Sequence, residues 1–155
     1  MSTQLKEWPE PPELLTLPAW RACVEEFLKA GLTYGDEIEA EVFEKWFKKD
    51  RTQLQFQMAV AEFRAELERK GMYLSGRGYK GAKYVILQPR ENAQVMENYG
   101  FRARKCLGRA VVLGTNTQLE LLSQEERARH DKVQEIASRR LLLMSRKTAA
   151  IEWKD

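Results

Sequence analysis

Apolar residues recur three and four positions apart in the first half of the chain, in runs separated by proline and glycine. Trp20, Cys23, Val24, Phe27 and Leu28 form one such stripe. It predicts a helix that begins near Pro18, whose fixed φ suits a first turn, and stops near Gly31. Residues 32–38 read as a turn or short strand. Val42, Phe43, Trp46 and Phe47 then supply the inner face of a second helix over residues 39–49. Asp50 and Gln53 have the spacing of a capping box, so a third helix is expected over residues 51–70, with Gly71 closing it. Phe56, Ala59, Val60, Phe63 and Leu67 share its inner side. Arg51, Leu54, Met58, Glu62 and Arg69 face outward, with Gln53, Gln57 and Arg64 on one flank and Gln55 on the other.

At Met72 the period changes. Residues 72–87, MYLSGRGYKGAKYVIL, are two short β-prone runs around a tip with Gly76, Gly78 and Gly81 and the cations Arg77, Lys80 and Lys83. This is a hairpin pattern. The order helix, strand, helix, helix, strand, wing, strand resembles the winged helix-turn-helix superfamily over residues 17–88. That resemblance implies a mainly α fold with a small β-hairpin, and two surfaces for nucleic acid, a helix for the groove and a wing for the backbone.

Outside this region the pattern is thinner. Residues 1–16 hold Pro9, Pro11 and Pro12 among acids and read as an extended arm, with Trp8 as the ring that would pin it. Residues 89–155 read as a helical extension. Within it, residues 90–99 form a short helix closed by Gly100, and residues 110–113 a strand. Ser123 and Glu126 open a long helix to about residue 146. Val133, Ile136, Ala137 and Met144 stripe that helix, and Arg127, Arg129, Lys132, Arg139, Arg140 and Lys147 make it cationic. The thin stripe fits docking on the body or a homodimer through residues 123–146.

Charge sharpens the picture. Residues 1–47 hold 4 Lys+Arg and 10 Asp+Glu, whereas residues 48–90 hold 10 and 4. The chain's net charge of +3 therefore hides an acidic first third and a basic segment over the third helix and hairpin. At 155 residues, with 43% hydrophobic and 32% charged residues, a soluble domain with its own core is expected. No apolar run is long enough for a bilayer, and the start, MSTQLKEWPEPPELL, lacks the form of a signal peptide. Cys23 and Cys106 are far apart without CxxC spacing, which suits free thiols in a cytoplasmic protein, with Cys23 as core filler.

Candidate chemistry is sparse. His130 is the one histidine, without a nucleophile and carboxylate at triad spacing, and one His with two isolated Cys cannot close a tetrahedral zinc site. The wing glycines lie in a hairpin tip, not between a strand and a helix, so they are no phosphate loop of the nucleotide-hydrolase kind. Glu25 with Glu26, and Glu125 with Glu126, read as helix surface. We therefore expect a non-enzymatic protein without cofactor or metal. The expected partner is double-stranded DNA. Arg51, Thr52, Gln53, Gln55 and Gln57 would lie nearest the bases, with Arg77, Tyr79, Lys80 and Lys83 on the backbone. This reading makes the chain a transcription regulator or accessory factor, of a phage or mobile element by general appearance. The other reading is an adaptor or inhibitor that binds a protein through Leu54, Met58 and the acidic helices.

Overall fold

The structure is a computed structural model that describes residues 6–78 and 81–145. Two compact units divide the chain, Met1–Ala93 and Gln94–Asp155. The first contains α1 (Ala19–Lys29), β1 (Glu37–Glu39), α2 (Ala40–Phe47), α3 (Leu54–Glu68), β2 (Leu74–Arg77) and β3 (Lys83–Ile86). The strands form one antiparallel sheet in the order β1-β3-β2, with Ile38 opposite Tyr84 and Leu74 opposite Ile86. The protein is thus mainly helical with a small three-stranded sheet.

The core follows the periodic stripes. Cys23, Val24 and Phe27 of α1, Phe43, Trp46 and Phe47 of α2, and Phe56, Val60, Phe63 and Leu67 of α3 are all buried. Leu74, Tyr84 and Ile86 close it from the sheet. Phe43 is central. Its ring stacks on Phe47 at 5.5 Å and meets Phe63 and Tyr84 edge-on at 4.9 and 5.2 Å. Such geometry suits the ring quadrupoles and adds to simple burial. Burial pushes the Cys23 thiol well above its usual range, as core filler requires.

Breakers sit where the backbone needs them. Pro18 precedes α1, and its carbonyl accepts the N–H groups of Arg21 and Ala22. Gly31 and Gly71, just past α1 and α3, have φ of +83° and +75°, which an L side chain rarely adopts. The described part of the arm is held at several points. Trp8 stacks on Phe27 at 4.9 Å and its indole N–H donates to the Glu37 carbonyl at 3.0 Å, while Trp46 donates to the Pro9 carbonyl at 2.8 Å. Lys6 donates to Asp36 at 2.7 Å.

The second unit differs from the expectation. A short helix ending at Gly100 and a strand at residues 110–113 are replaced by one helix, α4 (Asn92–Thr115). Gly100, Gly108 and Gly114 all lie inside it. A terminating glycine needs positive φ, and none of these three has it. Each costs roughly 1 kcal/mol against alanine in a helix. An unbroken helix, however, sets Gly114 and Val111 against α5 (Gln124–Ser145). There the Gln134 amide donates to the Val111 carbonyl at 3.1 Å, and His130 Nε2 lies 3.2 Å from the Gly114 carbonyl. A Cβ on Gly114 would overlap the Gln134 amide, so glycine permits this approach.

The helix ends are capped by side chains. The Thr117 hydroxyl donates at 2.8 Å to the Leu113 carbonyl, one of the last four of α4, and the Thr115 hydroxyl donates to the Val111 carbonyl at 2.9 Å. The box at the start of α5 forms as read. The Ser123 N–H donates to the Glu126 carboxylate at 2.7 Å and the Glu126 N–H to the Ser123 hydroxyl at 3.3 Å. The Ser123 N–H, and after it the Ser123 side chain, hold the Glu126 carboxyl below its usual range. Arg146 and Lys147 lie outside the described residues. Among the described residues no helix is long and apolar enough to cross a membrane.

Candidate nucleic-acid interface

The turn between α2 and α3 decides where the expected contact residues lie. α2 ends at Lys48, a non-glycine residue with φ of 51°, and α3 begins only at Leu54. Arg51, Thr52 and Gln53 therefore precede the helix and do not occupy its first turns. The expected capping box is also absent. Gln53 is the N-cap residue, without a side-chain cap bond. Asp50 instead accepts the Thr52 N–H at 2.8 Å and the Thr52 hydroxyl at 2.5 Å, which holds its carboxyl low. This local turn competes with capping because a short acid reaches the N–H two residues on more readily.

Arg51 does not face outward with free charge. Its Nε and Nη2 donate to the two oxygens of Glu44, each at 2.9 Å, and its backbone N–H donates to the same carboxylate at 2.9 Å. The two side chains are only 25% and 22% exposed. Arg51 is thus a strut joining α2 to the turn, its guanidinium already held by Glu44 where a base contact was expected. The Arg51 hydrogen bond holds the Glu44 carboxyl below its usual range and raises Arg51 in turn. The pair therefore stabilises the fold above the ordinary carboxylate range, and that contribution is lost as pH falls through the lowered Glu44 value. Glu44→Gln should lower stability at neutral pH and flatten its decline in acid, measured by urea unfolding across pH. An unchanged acid limb would show that Glu44 does not carry the linkage.

The remaining contact residues divide. Gln53 and Gln55 are exposed and make no side-chain hydrogen bond among the described residues. The Gln57 amide donates to the Arg51 carbonyl at 2.9 Å, bracing the turn. On the hairpin, Lys83 donates to Glu37 at 2.7 Å and lies 3.6 Å from Glu39, acids brought alongside by the β1–β3 pairing. Those acids raise the Lys83 pKa and offset its charge toward a phosphate. Arg77, more exposed, lies 3.6 Å from Glu91, whose other oxygen accepts the Gln88 N–H. At that distance and exposure the pairing is weak and exchangeable. Tyr79 and Lys80 lie outside the described residues. A continuous cationic ridge from residue 50 to 87 is therefore not present among the described residues.

Two cations missed in the sequence reading stand at this end of α3. Lys48 and Lys49 are exposed and carry no ion pair among the described residues. Their signal was available as the doublet just before the predicted turn. On the outer face of α3, Leu54 is 71% and Met58 60% exposed. Ala61 and Ala65 follow at helical spacing, and Glu62 is also exposed there. Arg64 turns away, donating to the Leu74 carbonyl at 2.7 Å with its guanidinium over Tyr73. Comparison with protein-family models, curated proteins and solved structures finds no match for this chain.

Proposed function

We propose that residues 17–88 form a winged helix that binds double-stranded DNA, as a regulator or accessory factor. The observation that carries this reading is the end of α3. Gln53 and Gln55 are unbonded there beside the unpaired Lys48 and Lys49, and the following hairpin sets glycines and Arg77 at its tip. Glutamine offers a donor and an acceptor to a base edge, and a helix N-terminus favours phosphate oxygen. The strand order β1-β3-β2, with β1 between α1 and α2 and the β2–β3 hairpin after α3, supports the winged-helix reading. Gly78 and Gly81, at φ of +82° and +68°, take a backbone conformation that an L side chain rarely adopts.

The contact set is Lys48, Lys49, Gln53, Gln55 and Arg77, with Tyr79 and Lys80 completing the wing. Arg51 and Gln57 position the turn. Mobility shift of labelled duplex by the intact chain is expected at about 50 mM salt and to weaken steeply by about 200 mM. No retarded species at the lower salt would overturn the reading.

A second reading has its own observation, the exposure of Leu54 and Met58 on one helix face. Two large apolar side chains that no described element covers suit a protein surface, as an adaptor or inhibitor would use.

A further inference from the structure

The second unit holds no fully buried side chain among its described residues. Two helices in contact normally bury a seam, yet here the seam positions are only half-buried. They are Leu107, Val111 and Gly114 on α4 and His130, Gln134, Ala137 and Leu141 on α5, spaced four and three apart. Two of them, His130 and Gln134, bond to main-chain carbonyls of α4. Such a seam fixes the antiparallel register but removes little apolar surface from water.

A second stripe runs beside this seam on both helices. On α4 it is Met96, Tyr99, Ala103, Cys106, Ala110 and Leu113, spaced three and four apart without a break. On α5 it is Val133, Ile136, Arg140 and Leu143, with the same alternation. In each helix the stripe is the seam moved one residue toward the N-terminus. One residue is about 100° of rotation in the same sense, so both stripes share one face of the antiparallel pair. Met96, Leu113, Val133, Ile136 and Leu143 are exposed on it.

We infer that this face pairs with the same face of a second copy of this chain, closing a four-helix bundle. Three observations favour a second copy over another occupant. The stripes keep a heptad spacing, which suits a helical partner packing nearly parallel or antiparallel rather than a globular surface. Both helices carry the stripe, so two hairpins related by a two-fold axis cover it completely, each supplying what the other lacks. The size also fits. From Met96 to Leu113 α4 runs about 25 Å at 1.5 Å per residue. A stripe of that length on each of two helices presents a face of several hundred Å², of the order of the roughly 800 Å² per partner of a stable interface. Arg140 is the one charged member, and a single charged position of this kind sets register while its long stem carries the guanidinium to the rim.

This inference does not rest on the DNA reading. The test is the solution mass of the intact chain at micromolar concentration, by sedimentation equilibrium. The expected mass is twice the 18.1 kDa of one chain. Leu113→Glu with Ile136→Glu, both at exposed positions, is expected to weaken self-association at least about 100-fold, which corresponds to about 2.8 kcal/mol at 1.4 kcal/mol per tenfold. Phe101→Ser with Val112→Ser is the control. These two are exposed on the opposite side of α4, so dimerisation should survive their loss. A single-chain mass for the intact protein overturns the inference. So does a dimer that persists in the Glu variant, or one abolished equally by the control pair while circular dichroism shows the helices retained.

Discussion

Phe43→Ala is expected to lower the stability of the first unit by about 3–5 kcal/mol, enough to unfold most molecules of a marginal domain. Phe43 is fully buried and touches rings from every layer, Phe27 of α1, Phe47 of α2, Phe63 of α3 and Tyr84 of β3. Truncation removes the apolar area of one ring and leaves a cavity that four aromatic neighbours cannot fill without leaving their rotamers. It also abolishes several edge-to-face or stacked pairs, each worth roughly 0.5–1.5 kcal/mol beyond burial. Urea unfolding followed by circular dichroism and by tryptophan fluorescence, to which the buried Trp46 contributes, reads this. A loss below about 1 kcal/mol would show that the ring cluster is not the centre of the core.

Lys48→Asn with Lys49→Gln is expected to weaken duplex binding on the order of 50-fold at about 0.1 M salt. Each cation that neutralises a phosphate contributes about 0.9 to the log–log salt slope. Two lost contacts remove about 1.8 from it, and over the decade below 1 M salt that amounts to the stated factor. Asparagine is chosen at position 48 because its φ of 51° is left-handed, where a short amide is tolerated and alanine is strained. The slope is the decisive readout, since a merely destabilised protein would bind less without losing salt dependence. Lys83→Gln should change binding far less, because Glu37 and Glu39 already offset that charge. Equal losses for the two substitutions would mean that free charge near α3 is not what grips the duplex.

The same comparison separates the two functional readings. If Leu54 and Met58 form a protein-docking face, replacing them with serine leaves the duplex result unchanged, because neither side chain can bond to a phosphate or a base edge. Leu54 opens α3, and Lys48 and Lys49 precede it in the turn, so the two surfaces lie near one end of the same helix.

Much of the first unit was legible in the residues. Pro18, Gly31 and Gly71 bracket α1 and α3, and of the buried residues on the three helices only Ala40, at the start of α2, was on no predicted stripe or inner face. Burial is dictated by period, and period is written in the chain. The box of Ser123 and Glu126 was equally local and formed as expected. The start of α3 was not. Asp50 had a choice between capping a helix and closing a turn on Thr52, and side-chain spacing permits both. Gly100 misled for a related reason. Glycine can end a helix, but it does so only where the chain has more to gain by turning than by continuing.

Sequence alone determined which side chains go inside, where the hairpin lies and that its basic segment follows an acidic one. Only tertiary structure decided what each charge meets. Pairing of β1 with β3 sets Glu37 and Glu39 beside Lys83, and the turn after α2 folds Arg51 onto Glu44, so that Lys48 and Lys49 are left as the free cations at that end of α3. The reason is range. Burial depends on a residue's own period within one element, whereas an ion pair depends on which distant element arrives next to it, and no local pattern encodes that neighbour.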